Sequence, residues 1–523
     1  MNIRELIEYN GDYNASKNYL FFEDQKISYQ EFNNNINRIA NGLLHLGIES
    51  GDKVCLLLFN SPEFLYSWFA VNKIGAVMIP INTGFKEDEM KYILDHSEAR
   101  CIIFDQNFAE IINKIMNECK FLEKFICAGE MCGASVINLG EMMENSSTLL
   151  RDIIINEDDD AVYVYTSGTT GLPKGVMLSH RSLVLTGQSF SYTVGLRSDD
   201  RVMTPNPLFH ANAQAYSTIG SLSVGASLVL IDKFSASRIW DQTRKYHAKK
   251  LVLVGAMTPM LWNQPRKDND SDNPVETLVA GFVPKEYFEG FEKRFGVWVQ
   301  TIFSLTECAM CIMGPRKNEG VRKIGGVGVP MQHPDEKIRN MVKIVDKSGN
   351  KISPNVLGEI IVNNPAIMKG YFKDINATTR TLKEGWVYTG DNGYIDEDGY
   401  FFFVAREKDI IRKKGENISP VELENVITKN PKVAEAAIIA VPSVLGHGED
   451  EIKAYVVPSN HGKDLKSEEI VEWCAERLAP FKVPQYIEFR DSLPKTATGR
   501  VKKDVLRKEK EDLIKGCFNK DGK

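Results

Sequence analysis

Tyr165-Thr166-Ser167-Gly168-Thr169-Thr170-Gly171-Leu172-Pro173-Lys174-Gly175 is a hydroxyl- and glycine-rich run that ends in lysine. Its chemistry suits the grasp of phosphates. Glycines let successive backbone N–H groups turn onto an anion, the Ser and Thr hydroxyls add hydrogen bonds, and Lys174 brings a mobile positive charge. The run predicts a nucleotide site with ATP as its ligand. It is not a Walker-type P-loop, because Pro173 stands where that motif requires glycine before its lysine. A surface turn of the same composition would look alike in isolation, so the surrounding sequence has to decide.

Upstream, helix and strand signals alternate. Ser28-Tyr29-Gln30-Glu31 is a capping box, and Phe32, Ile36, Ile39 and Leu43 follow at helical spacing, which predicts a helix to about His45. Val54–Leu58 reads as a strand, Ser61-Pro62-Glu63 opens another helix, and Val77–Ile81 reads as the next strand. The pattern resumes at Arg100–Phe104, Leu228–Ile231 and Leu251–Val254. Strand–helix–strand units of this kind predict parallel sheets covered by helices on both faces. Between Arg406 and Lys414 the chain turns basic, and a new helix start follows at Ser419-Pro420-Val421-Glu422, the best candidate for a domain boundary. Strand-like runs near 437–439 and 452–457 and a helix near 467–478 come next. Lys502–Lys515 predicts a solvated helix with Val505, Leu506 and Leu513 facing inward.

Composition narrows the class. A chain of 523 residues implies two to four structural units, and 43% apolar content supports a substantial core. A formal net charge of −6 lacks the basic footprint of a nucleic-acid binder. No apolar run approaches the ~20 residues of a membrane span, and Met1–Glu5 leads into a polar stretch without a signal-peptide core, so a cytoplasmic location is expected. Nine scattered cysteines predict reduced thiols, with Cys308 and Cys311 read as buried helix thiols rather than a redox or metal pair.

Downstream lie Phe303-Ser304-Leu305-Thr306-Glu307, Tyr388-Thr389-Gly390-Asp391, Arg406-Glu407-Lys408-Asp409, Lys414-Gly415-Glu416-Asn417 and Pro494-Lys495-Thr496-Ala497-Thr498-Gly499-Arg500. In order and spacing these segments and the 165–175 run resemble the adenylate-forming superfamily, which includes acyl-CoA synthetases, luciferases and the adenylation domains of peptide synthetases. Two positions depart from its pattern. Phe303-Ser304 replaces the common Tyr-Gly, and Arg500 stands where the superfamily has a catalytic lysine. Lys73–Asn82 and Lys233–Trp240 look most like the crotonobetaine/carnitine-CoA ligase branch. The resemblance implies an α/β fold: a large N-terminal region, 1–407, with helix-covered, mainly parallel sheets holding the ATP and acyl-substrate sites, and a small mobile α+β C-terminal domain, 408–523, hinged at Lys408.

Several residues invite roles on their own chemistry. A carboxylate such as Glu307 beside a phosphate loop would repel ATP unless a divalent cation lay between them, which predicts magnesium ligation. Asp391, after the turn at Gly390, can accept both hydroxyls of a ribose, and Arg406 can donate to the same sugar or to phosphate. The resemblance implies the rest. Thr166, Ser167, Gly168, Thr169, Thr170, Gly171 and Lys174 would hold the phosphates, Thr306 the α-phosphate, and Gly281-Phe282-Val283-Pro284 the adenine. His210 would line and gate the acyl pocket, with Gly326 and Gly328 on the opposite wall. Lys414 and Gly415 would line the pantetheine tunnel, with Arg412 and Lys413 on the coenzyme A phosphates. Arg500 would bridge the substrate carboxylate and the α-phosphate during adenylation; if the segment after Gly499 is helical, Lys503 lies one turn on and could take its place. The expected activity is ATP-dependent activation of a small carboxylic acid, of short or medium chain or carnitine-like, as acyl-AMP, followed by transfer to coenzyme A. A carrier-protein-loading adenylating enzyme and an ATP-binding pseudoenzyme are the alternatives, and the oligomeric state is left open.

Overall fold

The helix starts form as their caps predict. Ser28 and Glu31 make a complete capping box on Tyr29–His45, and the Ser61 hydroxyl accepts the Phe64 N–H with Pro62 at the first helical position of Pro62–Lys73. The structure is a computed structural model. It describes every residue except 131–135, 167–172, 256, 282, 284, 407–408, 410, 414–415, 443–449, 461, 463, 479, 497–498, 511, 521 and 523, and for 286, 406, 412, 416 and 417 only the backbone.

By contact density the chain divides into two compact units, Met1–Lys343 with Ile361–Tyr388, and Ile344–Ile360 with Thr389–Lys523. The second unit thus holds 344–360 and 389–407 besides the 408–523 stretch that the sequence sets apart.

The first unit contains, among the described residues, a nine-stranded and an eight-stranded sheet. Their interiors are parallel: Lys53–Leu57 lies between Val77–Pro80 and Ala99–Asp105 in one, and Lys250–Leu253 lies between Arg201–Thr204 and Thr277–Ala280 in the other. Antiparallel strands close both edges of the nine-stranded sheet and one edge of the eight-stranded sheet, whose other edge, Ile137–Asn138, is parallel. Side chains alternate between faces with the period of two that a strand imposes. Leu56 and Val54 enter the main core, which also takes Leu228, Val252 and Val279 from the other sheet and Phe64, Phe69 and Phe190 from helices. Cys55 and Leu57 instead meet Met90, Ile93 and Ile112 on the opposite face. Phe288, Phe291 and Phe295 cover the corresponding face of the other sheet. This is the helix-covered, mainly parallel architecture that the sequence predicts.

The second unit is α+β. Val433–Pro442 pairs antiparallel with Asp450–Pro458, which runs parallel to Tyr486–Phe489. Pro420–Thr428 and Ser467–Ala475 supply helical cover through Leu423, Ile427, Ile470 and Cys474.

Three expectations need correction. The helix expected over 502–515 is confined to Lys503–Lys508, because beyond it the chain turns back to pair Phe518–Asn519 with Tyr486 and Ile487; Leu506 is buried, but Val505 is exposed. Cys308 and Cys311 are buried free thiols on the strand Cys308–Met313, not on a helix, since the chain doubles back at Thr306-Glu307. Cys127 is disulfide-bonded, an exception to the expected reduced thiols. Among the described residues no helix is long and apolar enough to cross a membrane.

Candidate active site

The 165–175 run joins two antiparallel strands, Asp160–Thr166 and Lys174–Ser179, in which Thr166 stands opposite Lys174. Ser167, Gly168, Thr169, Thr170 and Gly171 lie outside the described residues. The base of the run is braced: the Tyr92 hydroxyl donates to the Pro173 carbonyl at 3.0 Å, and His96 Nδ1 hydrogen-bonds the Tyr165 hydroxyl at 2.8 Å.

The strand that leaves the loop carries a second partner, the short Gly370–Tyr371, with Tyr371 opposite Val176. Backbone bonds extend that register on both sides, Lys369 N–H to the Met177 carbonyl at 2.9 Å and Phe372 N–H to the Gly175 carbonyl at 2.8 Å. Tyr371 is buried, and its hydroxyl donates to Glu307 Oε1 at 2.7 Å. Lys174 Nζ lies over the same ring, 5.2 Å from its centroid. Burial, reinforced by the neighbouring Glu307, pushes the Tyr371 phenol well above its ordinary range and keeps it a donor. Glu307 itself occupies the two-residue turn between Trp298–Leu305 and Cys308–Met313 with Thr306, and its carbonyl accepts the Met368 N–H at 2.9 Å. The loop lysine and the acidic turn, 133 positions apart in sequence (307 − 174), therefore meet on one tyrosine. Tyr371 was not singled out in the sequence, because a Gly-Tyr pair bears no chemical mark until strand pairing places it.

Gly281 directly follows the strand Thr277–Ala280, and the Val283 side chain is buried in the apolar core, so its contact with a ligand would have to come from the backbone. Phe282 and Pro284 lie outside the described residues. Gly328 has φ +121°, and a Cβ there would come 2.0 Å from the Met313 carbonyl oxygen; glycine is required by its own neighbouring strand before any substrate is considered. Gly326 offers its carbonyl to the Thr301 hydroxyl at 3.2 Å.

His210 sits in a firmly held loop. Asn60 Nδ2 donates to the carbonyls of Asn206 and Ile231, Asn60 Oδ1 accepts the Leu208 N–H, and Gln214 Nε2 donates to the Leu208 carbonyl. The loop runs into a π-helix, Ala213–Ile219, that periodicity does not reveal; such turns recur at functional sites. Among the described residues His210 Nε2 is buried without a hydrogen-bond partner, and burial lowers the imidazole to about 4, so the ring is neutral at pH 7. His180, fully buried, is likewise lowered to about 4. Both rings take up protons more readily in the unfolded chain, whose ordinary value is 6.5. Their contribution to stability is thus present above that value and lost as pH falls toward 4. Melting followed by circular dichroism is expected to show a loss of about 2 kcal/mol per histidine between pH 7 and 5, largely absent from the His180→Gln/His210→Gln variant. An unchanged slope in that variant would contradict the assignment.

In the second unit Asp391 is buried, and its backbone stands opposite that of Arg406 on the adjacent antiparallel strand. Gly390, with φ +68°, precedes it, and the Gly390 N–H donates to Glu359 Oε1 at 2.8 Å. Lys408, Lys414 and Gly415 lie outside the described residues. Lys413 is buried and ion-paired with Glu451 at 2.6 Å, which corrects its expected place on coenzyme A phosphates. Arg500 is exposed, in a turn where its N–H meets the Thr496 hydroxyl at 3.1 Å. Lys503 begins the following helix instead of sharing one with Arg500, and its Nζ pairs with Glu424 Oε1 at 2.6 Å. The expected one-turn relation between the two cations is therefore not met.

Residues 7–372 match the family model for the AMP-binding enzyme, and residues 422–500 match that for the AMP-binding enzyme C-terminal domain. The chain belongs to the AMP-binding enzyme family. Within it, the chain is 34% identical over 522 residues to a crotonobetaine/carnitine–CoA ligase of Salmonella typhi, covering 97% of this chain and 99% of the relative. Among solved AMP-binding enzyme structures it resembles ATP-bound MatB of Rhodopseudomonas palustris, with TM-score 0.88, 27% identity and coverage of 98% and 100% of the two chains. It also resembles an anthranilate CoA ligase in complex with anthranoyl-AMP, with TM-score 0.87, 26% identity and coverage of 97% and 96%.

Proposed function

We propose that the protein is an acid–thiol ligase that activates a carboxylic acid with ATP and passes the acyl group to coenzyme A. The observation that carries this reading is the meeting of Lys174 and Glu307 on Tyr371, at the end of a loop built for phosphates. A cation for the phosphates and a carboxylate for their counter-ion each touch the same tyrosine. Among the described residues no group of three or more His, Cys, Asp or Glu side chains could cage a metal ion. One carboxylate beside a phosphate site instead fits Mg²⁺, which commonly takes one or two protein carboxylates and fills the remaining positions with phosphate oxygens and water. When bound, that ion would neutralise charge on the phosphates.

In the first half-reaction a substrate carboxylate oxygen attacks the α-phosphorus, and the bond to the pyrophosphate oxygen breaks. Lys174, the loop hydroxyls and Thr306 orient and neutralise the phosphates, and Arg500 stands in the motif position that meets the charge building between carboxylate and α-phosphate. In the second, a thiolate attacks the acyl carbon and AMP leaves, with Lys414 and Gly415 flanking the thiol. Asp391 and Arg406 hold the ribose. The hinge at Lys408 lets the 408–523 segment serve both steps. We assign a short- or medium-chain or carnitine-like acid as substrate. The neutral His210 supports this choice, because its unpartnered Nε2 can hydrogen-bond a polar substrate atom without repelling a cationic one.

A screen of carboxylic acids for pyrophosphate release, run with and without coenzyme A, tests this function. Acid-dependent pyrophosphate together with a thioester is the expected result. Adenylate that never reaches coenzyme A would point to carrier loading, and ATP binding without turnover on any acid would overturn the ligase reading.

A further inference from the structure

Tyr371 links two groups that would otherwise be drawn together. Its hydroxyl engages Glu307 Oε1, while its ring face carries the Lys174 ammonium, so each charge is held by a different part of one rigid side chain. Among the described residues no ion pair joins Lys174 to Glu307, and Glu307 Oε2 has no partner. A direct pair would cancel both charges and remove both from a nucleotide.

The tyrosine is itself fixed. Its N–H donates to the Thr378 hydroxyl at 2.9 Å, and that hydroxyl donates to the Asp374 carbonyl at 2.8 Å. Gly370 has φ +147°, and a Cβ there would come 2.9 Å from the Thr378 methyl, so the chain passes too close for any other residue. The Phe372–Gly175 backbone bond ties this segment to the residue just after Lys174. The backbone that bears the ring is thus tied to the strand that bears the lysine.

We propose that Tyr371 is a positioning residue that keeps Lys174 and Glu307 apart, leaving the lysine for ATP phosphates and the free carboxylate oxygen for the accompanying divalent cation. The inference rests on the acid-activating reading given above, but it is tested by nucleotide binding alone. Partners that orient a metal-binding carboxylate are worth about ten- to a hundredfold in metal affinity.

The experiment is calorimetric titration of ATP into the full-length protein across a series of Mg²⁺ concentrations, with thermal melting as the check on folding. Tyr371→Phe keeps the ring and loses the hydroxyl. It is expected to raise the Mg²⁺ concentration that half-supports ATP binding by about tenfold and to leave Mg²⁺-free ATP affinity unchanged. Tyr371→Leu also removes the ring, so Lys174 falls onto Glu307 and Mg²⁺-free affinity drops as well. Adding Glu307→Gln to Tyr371→Leu is expected to restore that Mg²⁺-free affinity, because the trapping carboxylate is gone. A merely structural tyrosine would not give such a rescue. An unchanged Mg²⁺ midpoint in folded Tyr371→Phe, equal weakening with and without Mg²⁺, or no rescue in the double variant would each overturn the proposal. Wild-type protein that shows the Mg²⁺ behaviour but releases no pyrophosphate with any acid would sink the ligase reading while leaving Tyr371 in its role.

Discussion

Glu307→Gln is expected to lower acid-dependent pyrophosphate release by about a hundred- to a thousandfold, the usual cost of losing one electrostatic contact to a charge that develops in the transition state. The substitution is conservative in shape. Gln retains an oxygen to accept the Tyr371 hydroxyl now bound to Glu307 Oε1 at 2.7 Å, and the residue sits in a turn rather than in the core, so the melting temperature should hardly move. What is lost is the negative charge on the free oxygen, and the deficit should shrink as Mg²⁺ is raised. Wild-type pyrophosphate release at limiting Mg²⁺ would remove Glu307 from the metal.

Arg500→Ala and Lys503→Ala should separate cleanly. Arg500 is exposed, next to the Val501 that bridges to Lys495, and its loss is expected to slow adenylation by about two to three orders of magnitude. Thioester formation from supplied acyl-adenylate should be spared. Lys503 is engaged elsewhere: it holds Glu424, which also accepts the Ile438 N–H at 2.7 Å. Removing it leaves a half-buried carboxylate without its cation and is expected to cost about 1–3 kcal/mol of stability, seen as a lower melting temperature, with both half-reactions affected alike. Adenylation slowed by Lys503→Ala and untouched by Arg500→Ala would reverse the two roles.

Much of this was legible in the sequence because it is local. The Ser28 and Ser61 caps, the strands Val77–Pro80 and Ser227–Leu230 and the helix at Pro420 all follow from side-chain chemistry within a few residues. Where the reading went astray, a distant partner had decided the outcome. The helix expected to run to Lys515 stops at Lys508 because Phe518–Asn519 returns to pair with Tyr486 and Ile487, and Cys308–Met313 became a strand by pairing back on Trp298–Leu305. Lys413 looked available to coenzyme A phosphates because Glu451, its partner, lies 38 positions on (451 − 413) and on another strand. Tyr371 was missed on the same ground: its meaning comes from pairing with Val176, which no local pattern encodes.

The register of Lys174–Ser179 has a consequence for how this loop can be engineered or can drift. That strand is clamped on both edges, to Asp160–Thr166 on one side and to 369–372 on the other. Inserting or deleting one residue between Thr166 and Lys174 must either be swallowed by the loop or slide the whole strand by one place, which turns every side chain to the opposite face. A slide would carry the lysine away from the tyrosine ring and unmate Gly175 from Phe372. Nucleotide preference here should therefore change by swapping residues at constant length. A transplant into another scaffold would succeed only as a cassette of three strands, two that frame the loop and the short third one that tells the lysine where to stand.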